Sequence, residues 1–68
     1  MTYAVEFRFP EGTMYAGMFK DALGFAPTVT SAILFGDKDE ALRTLQNGYG
    51  ESSAAWGYVV PVVAVPSY

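Results

Sequence analysis

The chain has 68 residues, of which 51% are apolar and 16% aromatic, with seven Asp or Glu against four Lys or Arg for a formal net charge of −3, and it holds neither histidine nor cysteine. Those absences exclude thiol nucleophiles, imidazole bases, Cys/His metal cages and disulfide frameworks. The negative balance argues against direct contact with nucleic acid or anionic lipid, both of which select basic surfaces.

One domain over residues 1–68 fits the length, and the apolar content argues against disorder. The absence of cysteine fits a reducing compartment. The opening Met1-Thr2-Tyr3-Ala4-Val5-Glu6 lacks the basic region of a signal peptide. The expected location is therefore intracellular, in the cytoplasm. The strongly apolar stretch Tyr58 to Val65 contains Pro61 and falls far short of the roughly 20 residues of a spanning helix, so no membrane crossing is expected.

Tyr3, Val5, Phe7 and Phe9 alternate with Ala4, Glu6 and Arg8, the period of a strand with one buried face. Pro10-Glu11-Gly12 supplies a turn, and Thr13 to Lys20 returns as a second strand, giving a β-hairpin. Gly17 within that strand predicts a bulge or a close backbone approach. Leu23 to Pro27 reads as a turn region, and Thr28 to Thr30 as a brief third strand that Pro27 confines to an edge or a strand start. Ser31 to Phe35 has no clear period and reads as a short turn packing Ile33 and Phe35 inward.

Asp37 followed by Glu40 resembles a capping box and predicts a helix over Lys38 to Gln46, with Ala41, Leu42 and Leu45 leaning on the sheet. Asn47-Gly48 ends it with residues that tolerate the left-handed conformation. Tyr49 to Ser53 reads as a polar loop, and Ala54 to Val65 as a long final strand in which Pro61 marks an edge, a bulge or the end of pairing. The expected fold class is α+β, a small antiparallel sheet of three to four strands with one helix packed on one face.

No catalytic constellation emerges. Ser31, Ser52, Ser53 and Ser67 have no histidine to activate them, and nothing indicates a desolvated Lys20 or Lys38 that could replace it. A chain this short has little room for a sugar cleft around two carboxylates. Asp37, Asp39 and Glu40 lack the spacing of an EF-hand loop and fit the preference of helix N-termini for negative charge. Gly48-Tyr49-Gly50 follows a helix where a phosphate loop would precede one. No enzyme activity, cofactor or metal is expected.

Local pairing of Asp39 with Arg43, Glu6 with Arg8, Asp21 with Lys20 and Asp37 with Lys38 leaves Glu11, Glu40 and Glu51 over. The contact candidates for a basic partner are these three, Glu11 on the hairpin turn, Glu40 at the helix start and Glu51 in the loop, together with Asp37, which shares the helix start with Glu40. Tyr3, Phe7, Phe9, Phe19, Phe35, Trp56 and Tyr58 fall in strand-like or apolar segments and are assigned to the core, whereas Tyr15, Tyr49 and Tyr68 are less obviously needed inside. Tyr49, beside Glu51, is the aromatic contact candidate.

The strand Tyr3 to Phe9, the helix start Phe35 to Ala41 and the closing Trp56 to Val62 together resemble the small phage and mobile-element anti-CRISPR proteins, specifically a type I-C inhibitor. That resemblance implies a stoichiometric inhibitor that binds the surveillance complex at a basic, nucleic-acid-binding surface, as an acidic mimic of DNA. A net charge of −3 is small beside one phosphate charge per roughly 1.7 Å of duplex, so inhibitory binding follows from the resemblance more directly than mimicry does. The other reading is a phage or mobile-element accessory protein that binds another host or phage protein through an aromatic surface. Either way the partner is a protein, and the chain itself is expected to be a monomer or a weak homodimer.

Overall fold

The computed structural model describes residues 2–63. Four strands, β1 (Thr2–Phe9), β2 (Gly12–Phe19), β3 (Ala22–Ala26) and β4 (Gly57–Val62), form one antiparallel sheet in the order β3-β2-β1-β4. Helix α1 (Lys38–Gly48) crosses one face, and a four-residue helix α2 (Glu51–Ala54) leads from it towards β4. The α+β architecture read from the sequence is the one observed.

The first hairpin closes through Pro10 and Glu11, with Phe9 opposite Gly12 and Phe7 opposite Met14. A second hairpin follows where the sequence suggested none. Lys20 and Asp21 both adopt positive φ, 49° and 65°, so they form a two-residue turn whose twist suits the flanking strands. Leu23 to Ala26 are therefore strand residues, not a turn. Thr28 to Thr30 are not a strand either: Val29–Ser31 is a single 3-10 turn, started where Pro27 stops β3.

Beyond the Glu6–Tyr15 pair, β1 and β2 no longer pair with each other, and residues 33–35 enter beside them. The Ile33 amide donates to the Ala16 carbonyl at 2.9 Å, while Tyr3 and Phe35 exchange both backbone bonds at 2.8 and 2.7 Å. This segment is thus an isolated bridge rather than a turn, though Ile33 and Phe35 do pack on the core as expected.

Helix α1 starts where predicted, with Asp37 Oδ1 accepting from the Asp39 amide at 3.0 Å. It runs through Asn47 to Gly48 instead of stopping at Gln46, and Gly48, its last residue, lets the helix lie close to Leu23 and is not a left-handed cap. Ala41 and Leu45 are buried. Leu42, one position on from Ala41, is turned about 100° round the helix and stands 41% exposed, so it does not join the inward stripe. The predicted loop 49–53 is replaced in part by α2, and Ala54 to Trp56 precede β4 rather than belong to it. Ala64 and Val65, read as part of the last strand, lie outside the described residues.

The core is Val5, Phe7, Ala16, Phe35, Ala41 and Leu45. Around Phe7 the rings of Phe9, Phe25 and Tyr49 pack with centroids 4.8 to 5.6 Å away, mixing stacked, tilted and edge-on contacts.

Candidate binding surface

Cross-strand register decides which side chains meet the helix. Val5 and Phe7 face α1, and their partners Val59, Gly57 and Met14 share that face. The residues between them, Glu6 and Arg8 on β1, Tyr15 and Phe19 on β2, and Tyr58, Val60 and Val62 on β4, form the opposite face, turned away from α1, which they share with the fully buried Ala4 and Ala26. Glu6 is opposite Tyr15 on one side and Tyr58 on the other, so the three stand in one row across the sheet.

An ion pair crosses that row. Arg8 Nε donates to Glu6 Oε1 at 2.6 Å, and the guanidinium carbon lies 4.5 Å from the Tyr58 ring centroid. The hydrogen bond and charge of Glu6 raise the pKa of Arg8, which stays protonated. Tyr58 is 48% and Phe19 51% exposed, while Tyr15 is half-buried. Phe19, Tyr58 and Trp56, assigned to the core from their apolar surroundings, are therefore surface aromatics. For Phe19 and Tyr58 the reason is register: each is paired onto the face opposite the helix.

The predicted contact residues fall elsewhere. Tyr49 is half-buried, its ring against Phe7 and Phe25 and its hydroxyl donating to the Gly24 carbonyl at 2.6 Å. Burial pushes its hydroxyl pKa up, with the Gly17 backbone acting the other way. The fold uses this tyrosine to tie the end of α1 to β3. Asp37 is engaged as the N-cap.

Glu11, Asp37, Glu40 and Glu51 are all exposed, but they do not converge. Glu11 follows Phe9 at one end of β1, whereas Asp37 and Glu40 follow Phe35, which pairs with Tyr3 at the other; the run from Tyr3 to Phe9 covers about 20 Å at about 3.3 Å per residue. Glu51 opens α2, whose chain enters β4 opposite Phe7, nearer the Glu11 end. Glu11 borders a shallow cleft of about 380 Å³ between the hairpin tip and Pro27. Among the described residues no three carboxylates come together as a metal site, and the Glu6–Arg8 pair is the one ion pair; the expected Asp39–Arg43, Asp21–Lys20 and Asp37–Lys38 pairs do not form.

No described helix is long and apolar enough to cross a membrane. No family model, curated protein or solved structure matches the chain.

Proposed function

We propose that this protein is a non-enzymatic binding module that takes a protein partner on the sheet face turned away from α1, and that the partner is a type I-C CRISPR surveillance complex whose action it blocks. The observation that carries the contact is the row Tyr15–Glu6–Tyr58 with Arg8 over it. Tyrosine and arginine bring large contact area with polar tips and are the residue types that dominate binding energy at interfaces. The target follows from the sequence resemblance, and the absence of His and Cys fits inhibition by occupancy rather than chemistry.

An aromatic contact of this kind replaces acidic mimicry as the mode of binding, because the four candidate carboxylates are divided between two ends of the molecule. Charge-led binding to a basic groove weakens steeply with salt, whereas an aromatic contact does not. Titration against a purified type I-C complex at low and high ionic strength separates the two. We expect little salt dependence, a loss of about 30-fold or more for Tyr58→Ala, and almost no change when Glu11, Glu40 and Glu51 are all replaced by Gln. A steep salt slope abolished by the Gln triple variant would restore the mimic, and no binding at all would remove the target while leaving the fold untouched.

A further inference from the structure

The two edges of the sheet are not alike. In the β1·β4 ladder Tyr3 turns both backbone groups away from β4 to bond Phe35, so its partner Pro61 presents its own backbone outward. The imino nitrogen that cannot donate thus stands on the free side, and β4 is a guarded edge.

Edge β3 has no such guard. Ala16 directs its carbonyl to Ile33, away from β3, which makes Ala16–Phe25 a pair without mutual backbone bonds. By the alternation of the ladder, Phe25 and Leu23 both turn their amides and carbonyls to the outside. Among the described residues, no hydrogen bond from another element reaches these groups. The strand Ala22-Leu23-Gly24-Phe25-Ala26 carries no charge or proline, and Met18, Phe19 and Phe25, at 53%, 51% and 37% exposure, gather exposed apolar surface beside it.

We infer that β3 pairs antiparallel with β3 of a second copy, joining two four-stranded sheets into one. The free groups are symmetric about Gly24, so a two-fold axis there sets Leu23 against the second copy's Phe25 and Phe25 against the second copy's Leu23. Each such pair exchanges two backbone bonds, and every outward group of the two residues is satisfied. At the axis two glycines meet in the closer, non-hydrogen-bonded register. Phe19 lies over Gly24 on the face turned away from α1, and a side chain at that position would collide with its ring, an ideal Cβ falling 2.9 Å from Phe19 Cδ2. Any antiparallel strand has alternating donors and acceptors, but a second copy brings an edge that is likewise uncharged, free of proline and, among the described residues, without backbone partners, at the same two positions.

The contact is small against the roughly 800 Å² per partner of a stable complex, so the dimer is expected to form between about 10 μM and about 1 mM. Sedimentation of the full chain across that range, with amide hydrogen exchange at both extremes, tests it. The expected result is a shift from monomer to dimer mass, accompanied by at least about tenfold slower exchange of the Leu23 and Phe25 amides. Leu23→Pro, which removes an outward donor and no bond within the sheet, should return the protein to monomer. Monomer mass at the highest concentration would overturn the inference. So would a dimer in which the Leu23 and Phe25 amides of the wild-type chain still exchange freely, a result that holds even if the proline variant fails to fold. Protection at these amides that appears only when another protein is added would assign the edge to that protein's strand instead.

Discussion

Tyr49 joins parts of the chain 25 residues apart through one hydroxyl, which accounts for its absence from the exposed aromatic surface. Tyr49→Phe keeps the ring contacts and deletes the bond to Gly24, so thermal or denaturant unfolding at neutral pH should show a loss of about 1 kcal/mol. Its pH signature has a definite sign. Because burial raises the hydroxyl pKa in the folded state, the group's contribution is complete below the unfolded value near 10 and falls as pH rises through the folded value. The Phe variant should therefore lose less stability in alkali than the parent, measured as unfolding free energy across that range. Asp37 is the complementary case, a residue whose role was legible because its partner is two positions away. Asp37→Ala should cost about 1 kcal/mol through loss of the N-cap, read by chemical denaturation.

Among the elements, β1, β2 and α1 were readable because their signals are local: alternation of period two, a helical spacing of Ala41 and Leu45, and a cap directly before them. Strand β3 was not, since its hairpin turn uses Lys20-Asp21 instead of the Asn-Gly or Asp-Gly pairs that favour positive φ, and Gly24 weakens its strand signal. Packing between elements also reverses a local preference at Gly57. Alanine suits a strand better than glycine, yet a Cβ at Gly57 would run into Leu45 and come within 3.2 Å of the buried Phe7 ring. Gly57→Ala should thus destabilise by about 1–3 kcal/mol, visible as a lower Tm.

For the whole molecule, the arrangement of edges makes a prediction about assembly. Among the described residues, Pro61 protects one side of the sheet while β3 is open on the other, a combination that permits a closed dimer and opposes further growth. Pro61→Val should supply the missing outward amide and turn a two-fold pair into longer oligomers, detected by light scattering as mass that keeps rising with concentration. The same scale governs the candidate binding surface. The aromatic row exists because the pairing of Glu6 with both Tyr15 and Tyr58 places β2, β1 and β4 in one register. The four predicted acidic contacts fail to form one surface because the hairpin tip and the start of α1 lie at opposite ends of β1.

The amino-acid sequence by itself determined the α+β class, the first hairpin, the capped helix and the absence of thiol and imidazole side chains, since each depends on residue type or on neighbours a few positions away; of the edge, bulge or pairing end open to Pro61, the sheet order selects the edge. Only the tertiary structure decided which aromatics are covered, where Tyr49 spends its hydroxyl, and how the carboxylates are distributed. Those outcomes rest on contacts between residues far apart in the chain, such as Tyr3 with Phe35, Glu6 with Tyr58 and Gly24 with Tyr49. Phe7 and Phe19 illustrate the difference. Both are phenylalanines in strands of alternating pattern, and strand pairing alone sends one beneath the helix and leaves the other on the face turned away from it.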